Sequence, residues 1–454
     1  MSTSGINLSS LLSALGSSSS GINVSSAVAA AISALSAPET VWENEQSTLS
    51  TQTTDLNQIQ TDVEALATSL TALSDPTGAL GSMTVTSSDT NVVNATAAAG
   101  TTAGTHVIVV NNIASTASSY SNTVATSSTP LAAGNFTIQV GTGAATTIQI
   151  GSGVNTLDEL ASSINGQNLG VTASVVNDSS GSRLAIVSNN SGAANGFTIS
   201  NASGLTFTQA SAGQDASLTV DGIPIDSASN TVTGAVSGLT LNIVGAQPGG
   251  QVTVSVAPNT AAAETAIATF VGAYNTAIGD VNTEYTVNAN NQEGALAGDS
   301  TVQMLQDALL SAGSYSGGGN GVSTLADLGI TMNKDGSLTL DTSTLDNAVQ
   351  NNFSAVQNFL QGASSNGFAS VLNTQLGTLT APSDGAFTID LQSISSENSD
   401  LQSQINNFQT YLNNQQTLLT AEYNQADITL QEIPEEEAQI NAELGYPPTS
   451  STSS

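Results

Sequence analysis

A long helical repeat near the C-terminus decides the fold of this chain. Residues 391–433 read LQSISSENSDLQSQINNFQTYLNNQQTLLTAEYNQADITLQEI. Apolar side chains recur in this stretch at alternating steps of three and four residues, which is the heptad pattern of a coiled coil. The apolar positions of the repeat are Leu391, Ile394, Leu401, Ile405, Phe408, Leu412 and Leu419. A helix of this length, roughly 65 Å at about 1.5 Å per residue, needs a partner helix, and Pro434 is expected to end it.

The partner helix is predicted at the other end of the chain. The same spacing holds over residues 42–73, with Trp42, Leu49, Leu56, Ile59, Val63, Leu66, Leu70 and Leu73 at the apolar positions. A third run with this spacing covers residues 267–285. These runs predict that the terminal helices pair into an α-helical coiled-coil leg domain. The chain between them is then an insertion, and the predicted fold class is an α+β multidomain protein.

The middle of the chain has the composition of a β protein. From residue 83 to residue 256, short runs rich in Val, Ile and Thr alternate with Gly, Asn and Ser turns, which predicts short strands. One short helix is predicted from Leu157 to Ile164. The predicted domains are a disordered N-terminal tail (1–40), a helical leg in two parts (41–80 and 258–433), a β domain in two parts (81–134 and 213–257), an inserted β-rich subdomain with the short helix (135–212) and a disordered C-terminal tail (434–454).

The second part of the leg contains several smaller predicted elements. Asp299 is a predicted N-cap for a helix over residues 300–310. Residues 333–336, NKDG, have the composition of a type I′ hairpin turn. Further helices are predicted near residues 344–360 and 368–379.

Charge and composition limit the possible partners. The 454 residues include 35 Asp and Glu against two Lys and Arg, giving a formal net charge of -33, and there is no Cys. A chain with so few cations has no patch that could neutralise phosphates, so nucleic acid and anionic membranes are poor candidate partners. The apolar run from Ala27 to Ile32 is too short to span a bilayer, so no membrane insertion is expected. No Lys or Arg precedes Arg183, so we expect export by a route other than a cleaved secretory signal.

Two features could suggest an enzyme, and both have simpler interpretations. Residues 148–156, IQIGSGVNT, place a strand and a GxG turn before a helix, as a dinucleotide-binding fingerprint requires. Thr156 stands where the third glycine would be, and no further βα units follow, so a plain turn is predicted. The only histidine, His106, has no nucleophile or metal-ligand cluster near it in the sequence, which favours a structural role. We therefore predict no catalytic residue, no metal site and no cofactor.

The two predicted leg helices carry acidic residues with almost no cations to offset them. These residues are Asp55, Asp62, Glu64, Glu397, Asp400 and Glu422. If the helices pair, repulsion is expected to raise the pKa values of these carboxyl groups. The stability of the leg would then increase as the pH falls.

Several segments, taken in order, resemble the bacterial flagellar filament-capping proteins, which are the type 2 hook-associated proteins. The similar segments are GTHVIVVNNIA (104–114), TLDELASSIN (156–165), LTVDG (218–222), SGLTL (237–241), FVGAYN (270–275), GALAGD (294–299) and LGITMNKDGSLTLD (328–341). The pair Ser229–Asn230, between the third and fourth of these segments, matches as well. The second segment also resembles a module of flagellins, whereas the fourth and the last favour the cap. The resemblance covers roughly residues 21–433.

This resemblance implies an oligomeric assembly protein at the tip of the flagellar filament, extracellular and exported with an uncleaved N-terminus. It would promote flagellin folding and polymerisation, prevent loss of flagellin monomers and be required for filament elongation and motility. The implied partners are further copies of the chain in a ring, with a pentamer favoured, together with flagellin, hook–filament junction proteins and a cytoplasmic export chaperone. The alternatives are another flagellar axial protein, such as a flagellin or junction protein, and a secreted adhesin that binds glycans.

Overall fold

Two consecutive helices form the N-terminal part of the leg. Helix α1 spans Val24–Leu35 and helix α2 spans Ala37–Ser74. No single helix in the described chain is long and apolar enough to cross a membrane, and α1 and α2 pass such a test only as a pair bent by 48°. The computed structural model describes residues 23–287, 293–317, 321–362 and 366–444.

Helix α1 corrects the prediction of a disordered tail over residues 1–40. Residues 24–40 are helical apart from the bend between the two helices. Residues 1–22 lie outside the described residues. The Asn23 side chain caps α1, and Ala27 and Val28 are buried. A helix this short is marginal in isolation. Its contacts with the long C-terminal helix supply the stability that the local sequence lacks.

Residues 83–258, all of them described, form fifteen strands and helix α3, which spans Leu157–Gly166. In chain order the strands are β1 (Met83–Ser87), β2 (Val93–Ala97), β3 (Gly104–Asn112), β4 (Ser118–Ser121), β5 (Gly134–Val140), β6 (Thr146–Ile150), β7 (Val171–Asp178), β8 (Gly181–Ser188), β9 (Phe197–Ser200), β10 (Phe207–Ser211), β11 (Ala216–Val220), β12 (Ile223–Ser227), β13 (Thr231–Val236), β14 (Leu239–Ile243) and β15 (Val252–Pro258). They divide into two units, each with its own apolar core.

The first unit is a β domain of two antiparallel sheets. Its five-stranded sheet has the order β1-β15-β3-β11-β12, and its three-stranded sheet has the order β13-β14-β2. Apolar residues that alternate along the strands of both sheets form one core, which includes Val93, Ile108, Leu218, Leu241 and Val254. Strands from before and after the insertion are neighbours, because β3 pairs with both β11 and β15.

The second unit is the inserted subdomain, which consists of β4 to β10 and α3. Its sheets have the orders β10-β4-β8-β7 and β6-β5-β9, and its core includes Phe136, Leu160, Ile164 and Leu184. The subdomain begins at β4 and not at residue 135, as predicted, because β4 pairs with β8 and β10. The sequence of β4, SSYS, has no apolar alternation, so its strand conformation depends on these two neighbours.

The second part of the leg is mainly helical. Its elements are α4 (Thr260–Glu284), α5 (Ser300–Ala312), β16 (Ile330–Met332), β17 (Leu338–Leu340), α6 (Thr342–Asn351), α7 (Phe353–Gln361), α8 (Phe368–Thr380) and α9 (Ala386–Glu443). Asp299 caps α5, as predicted, by accepting the N–H groups of Thr301 and Val302. The single helix predicted near residues 344–360 is instead two helices, because the backbone leaves the helical region at Asn352, where φ is -135°.

The turn between β16 and β17 also differs from its prediction. Residues 333–337 connect the strands, and the Gly336 N–H donates to the Asn333 carbonyl. A type I′ turn needs positive φ at both central residues. Here Lys334 and Asp335 do not have positive φ, and only Gly336 does, at +81°. The type I′ assignment is therefore wrong. Gly336 follows the two central residues, Lys334 and Asp335, and supplies the one positive φ of the turn.

Helix α9 is 58 residues long and continues through Pro434. The predicted helix end is therefore wrong, as is the disordered tail for residues 434–443, while residues 445–454 lie outside the described residues. Proline removes one backbone hydrogen bond from a helix. This stretch is exposed, so water can bind the carbonyl that loses its N–H partner, and the Glu, Ala and Gln residues that follow are good helix formers.

Helices from both ends of the chain share one core in the leg. Its buried members include Leu56 and Leu66 of α2, Tyr274 of α4, Phe368 of α8 and Leu401 of α9. The predicted fold class is confirmed, since terminal helices join around inserted β units. The leg is a bundle of several helices, and the pairing of the two terminal helices is one part of it.

Candidate functional surfaces

The predicted seam of α2 is buried along most of its length. Its buried members are Leu49, Leu56, Ile59, Val63, Leu66, Leu70 and Leu73. Trp42 is partly buried against the same core. The C-terminal end of α2 meets the bundle and not α9, because Thr71 Oγ1 accepts from Asn373 of α8 at 3.4 Å and the Asp75 carbonyl accepts from Gln361 of α7 at 3.0 Å.

The N-terminal half of α2 is the part that lies along α9. Gln46 Nε2 donates to Gln402 Oε1 at 3.0 Å, and Gln409 Nε2 donates to Glu39 Oε1 at 2.7 Å. As α9 advances, its partners move back along α2. The two helices are therefore antiparallel.

The predicted seam residues of α9 are buried only as far as Leu412. Those that are buried are Ile394, Leu401, Ile405 and Leu412, and those that are partly buried are Leu391, Phe408 and Leu419. The Phe408 ring meets the Trp42 ring edge to face, with the ring centroids 5.2 Å apart. Beyond Leu412, the described part of α9 has no buried residue.

The last part of α9 carries large apolar side chains on its surface. They are Leu418, Ile428, Leu430, Ile433 and Ile440. Three consecutive acidic residues, Glu435, Glu436 and Glu437, lie among them. A helix that leaves several large apolar side chains exposed is suited to bind another helix or a groove.

The glycine turn before α3 is occupied by side chains of the chain itself. Thr156 Oγ1 accepts the Glu159 N–H at 3.3 Å, and the Glu159 carboxylate accepts the Asn155 N–H at 2.8 Å. Thr156 is therefore the N-cap of α3, and Glu159 binds the residue before the cap, so N–H groups that a bound phosphate would otherwise meet are already satisfied. The geometry is that of a plain turn followed by a capped helix.

His106 on β3 lies beside the hairpin of β11 and β12. Its Nδ1 atom is 2.7 Å from Asp221 Oδ2, and Asp221 Oδ1 accepts the Val107 N–H at 2.8 Å. The hydrogen bond from His106, followed by that from Val107, lowers the pKa of Asp221. Asp221 and Gly222 have φ of +51° and +84°, as a type I′ turn requires. Asp221 therefore fastens this turn to β3.

No group of three or more His, Asp or Glu side chains is arranged to hold a metal ion within the ranges that the structure describes.

Models of one protein family match the chain at both ends. The model described as flagellar hook-associated protein 2 N-terminus matches residues 20–117, and the one described as flagellar hook-associated protein 2 C-terminus matches residues 213–435. The chain belongs to the flagellar hook-associated protein 2 family. A third model, the flagellin hook IN motif, matches residues 135–190, which lie in the inserted subdomain of this hook-associated protein 2 chain.

Curated relatives have the same description. The B-type flagellar hook-associated protein 2 of Pseudomonas aeruginosa is 27% identical over 312 residues, which are 62% of this chain and 66% of the relative. The flagellar hook-associated protein 2 of Salmonella typhimurium is 33% identical over 157 residues, which are 33% of each chain. The chain thus spans at most 66% of the length of either relative.

A solved structure of a hook-associated protein 2 relative has a similar fold. It contains the D1, D2 and D3 domains of the flagellar cap protein FliD from Escherichia coli. The TM-score is 0.63 at 27% identity, and the match covers 75% of this chain and 99% of that one. The similarity therefore extends beyond any one of the three units described above.

Three asparagines in the family-matched regions join neighbouring segments by paired hydrogen bonds. Each one both donates to and accepts from the backbone of a single residue: Asn165 with Ala173, Asn230 with Ala114, and Asn275 with Leu338. A primary amide can present its donor and acceptor side by side, as a strand does. Asn230 fastens the chain where it leaves β3 for the inserted subdomain. Sequence reasoning recognised these residues only as parts of motifs and missed this role.

Proposed function

We propose that this chain is a flagellar filament cap, which assembles at the filament tip and promotes the folding and polymerisation of flagellin. One observation carries the proposal: the fold similarity to the Escherichia coli flagellar cap protein spans 75% of the chain and includes more than one domain. The family matches at both ends support the same function. In this proposal the chain prevents the loss of flagellin monomers and is required for filament elongation and motility.

The proposed partners follow from this role. They are further copies of the chain in a ring, with a pentamer favoured, flagellin, the hook–filament junction proteins and a cytoplasmic export chaperone. The exposed apolar residues on the last part of α9, including Leu430 and Ile433, support a helix-binding role for that segment. We place the export chaperone there before secretion. The chain would leave the cell without a cleaved signal and act outside it.

Deletion of the gene in the source bacterium tests the cap function. We expect cells without filaments that release unpolymerised flagellin into the medium, and we expect the full chain to restore filaments when it is supplied in trans. Normal filaments in the deletion strain would refute the proposal. Electron microscopy of the purified chain in negative stain tests the ring separately, since rings support it and a uniform population of monomers contradicts it.

A double variant tests the role of the exposed segment of α9. Leu430→Ser with Ile433→Ser removes apolar surface that contributes nothing to the core of the leg. We expect the melting temperature to be unchanged, while export and filament formation are lost. Gln431→Ser is a matched control on the same helix and should retain both. If the double variant supports normal filaments, the proposed binding role of this segment is wrong.

A further inference from the structure

The loop that joins α4 to α5 is a place where several leg helices meet. Glu284, the last residue of α4, accepts the Leu296 N–H at 2.9 Å. Gln52 of α2 donates to the Ala295 carbonyl at 2.9 Å. Asp299 ends the loop as the N-cap of α5. The loop therefore connects α2, α4 and α5, and two pairs of carboxyl groups lie around it.

The first pair links α4 to α2. The carboxyl group of Asp280 on α4 lies within hydrogen-bonding range of that of Asp62 on α2. Asp280 Oδ2 is buried and has no hydrogen-bond donor among the described residues. Glu284, one turn further along α4, adds another negative charge. A buried carboxylate oxygen without a donor is costly, so this arrangement disfavours the doubly ionised pair.

The second pair links α9 to the start of α5. The carboxyl group of Asp390 on α9 lies against that of Asp299, and the Thr301 side chain also contacts it. Asp390 Oδ2 is buried, again without a hydrogen-bond donor in the described part of the chain. Asp299 Oδ1 is already occupied by two N–H groups of α5. The same arrangement thus recurs at a second contact between helices.

Neither Arg183 nor Lys334 forms an ion pair with these carboxyl groups. Arg183 lies in the inserted subdomain, where its Nε atom is 3.0 Å from Asp178 Oδ2. Lys334 is exposed in the turn between β16 and β17. Asn282 of α4 donates to the backbone carbonyl of Asp335 in this turn. Asp335 also places a carboxylate next to Lys334 in the sequence.

The remaining charged groups on the helices that pack against α4 and α9 are all acidic. They are Glu39, Glu43, Glu45, Asp55 and Glu64 on α2, Asp307 on α5 and Asp346 on α6, whereas α1, α7 and α8 have no charged residue. Solvent protons are therefore the natural source of positive charge for the two pairs.

We propose that each pair shares one proton in the folded leg, so that Asp62 with Asp280 and Asp299 with Asp390 form acid-dependent clasps between helices. In acid, the O–H of one carboxylic acid donates to the carboxylate of the other, and this bond joins two helices. As the pH rises through the raised pKa of each pair, the proton passes to water. Two carboxylates then face each other, and the helices repel.

The direction of the effect follows from proton linkage. Burial raises the pKa of Asp280 from 3.8 to about 6, with further contributions from the hydrogen bond to Asp62 and the charges of Asp62 and Glu284. Burial also raises the pKa of Asp390, and the charge of Asp299 adds to this effect. Between about pH 4 and pH 6 the folded chain binds more protons than the unfolded chain, so the free energy of unfolding decreases as the pH rises. The stabilisation is complete below that window and lost above it.

Other carboxylates of the leg set the pH below which further acidification no longer stabilises the fold. Backbone hydrogen bonds from Ser323 and Thr324 lower the pKa of Asp327, and the Thr344 side chain lowers that of Asp341. Groups with a lowered pKa stabilise the fold above their unfolded pKa, and this contribution is lost as the pH falls through the folded pKa. The free energy of unfolding of the leg is therefore expected to be largest at about pH 4.

Thermal melts of the full chain at a series of pH values test the clasps. We expect the melting temperature to rise as the pH falls from 7 to about 4. Asp280→Asn and Asp390→Asn replace the shared proton by an amide donor, so each should raise the melting temperature at pH 7. Each should also reduce the rise between pH 7 and pH 4, and the double variant should reduce it further.

Asp400→Asn is the matched control, because it removes the same unit charge from an exposed position on α9. It should leave the rise between pH 7 and pH 4 unchanged, which separates the clasps from the general repulsion of a chain of charge -33. Equal effects of Asp400→Asn and Asp280→Asn would overturn the proposal. Carbon-detected NMR titration of the unmodified chain gives a second readout: an Asp carboxyl that titrates near pH 6 supports the clasps, and titration of all of them at about pH 4 or below refutes them.

Discussion

The inner half of α9, residues 386–412, contributes buried residues to the leg, whereas the outer half, residues 413–443, contains no buried residue. Leu401 in the inner half is 5% exposed, and Leu430 in the outer half is 46% exposed. Both halves belong to one continuous helix and both carry apolar residues at helical spacing. The comparison teaches that this spacing specifies an amphipathic helix but does not specify whether a partner is present.

The outer half is helical without a core of its own for a simple physical reason. Starting a helix is costly, whereas extending an existing one adds a hydrogen bond for each residue that is fixed. The packed inner half provides the start. The outer half then presents its apolar side chains in an ordered array, which lowers the entropy cost of binding a partner.

The largest expected difference between the halves concerns core leucines. Leu401→Ala should lower the free energy of unfolding by about 2–5 kcal/mol, because it leaves a cavity in a packed interface. Leu430→Ala should change it by less than about 0.5 kcal/mol, because the side chain is half exposed. Urea unfolding midpoints measure both. Equal losses for the two variants would mean that the outer half is packed in solution.

An intermediate effect is expected at the junction of the halves. Phe408→Ala removes the edge-to-face contact with Trp42 and should cost about 1–2 kcal/mol. Trp42 is the only tryptophan, so its fluorescence emission should shift to the red as water reaches the ring. Tyr411→Ala removes the exposed neighbour of Phe408 and serves as the control. An unchanged emission spectrum for Phe408→Ala would contradict the contact.

A smaller effect is expected for surface hydrogen bonds. Gln409→Ala removes the bond that joins α9 to Glu39 of α2, and we expect a cost below about 1 kcal/mol because both groups are exposed. Gln431→Ala in the outer half removes only a bond to Asp427 on the same helix, and it should have no measurable effect on unfolding. A larger cost for Gln431→Ala than for Gln409→Ala would reverse the comparison.

The smallest effect on global stability is expected for Pro434→Ala. The helix already continues through this position, and its surroundings are exposed, so the unfolding midpoint should not move. Alanine restores a backbone N–H and favours helix by about 3 kcal/mol locally. Amide hydrogen exchange should therefore slow in residues near 430–440 and stay the same in the inner half. A shift of the global midpoint would show that the outer half contributes to the cooperative unit.

Local patterns predicted several elements well. The N-cap of α5 at Asp299 follows from the chemistry of one side chain, and most strands follow from runs of Val, Ile and Thr. The failures are equally specific. The strand β4 reads SSYS and forms only because β8 and β10 pair with it, and α1 is stabilised by contacts with α9.

The candidate surfaces were predicted in the same uneven way. Heptad spacing predicted a seam on α2 and α9, but it did not predict that the end of α2 packs against α7 and α8. The motifs that resemble the capping proteins contain Asn165, Asn230 and Asn275, yet their partners are set by the fold. No spacing rule predicts a contact such as that of Asn230 with Ala114, which lie 116 residues apart in the chain.

The sequence by itself determined where most helices and strands occur, where Asp-Gly turns the chain and that almost no cation is available, because these properties depend on single residues and near neighbours. Only the tertiary structure decided which helices share a core and which half of α9 remains uncovered. It also decided that Asp280 faces Asp62 and that Asp390 faces Asp299, and of these four carboxyl groups only Asp62 was suggested by the helix pattern. Burial and pairing depend on groups that folding brings together from distant parts of the chain, and these contacts set the pKa values.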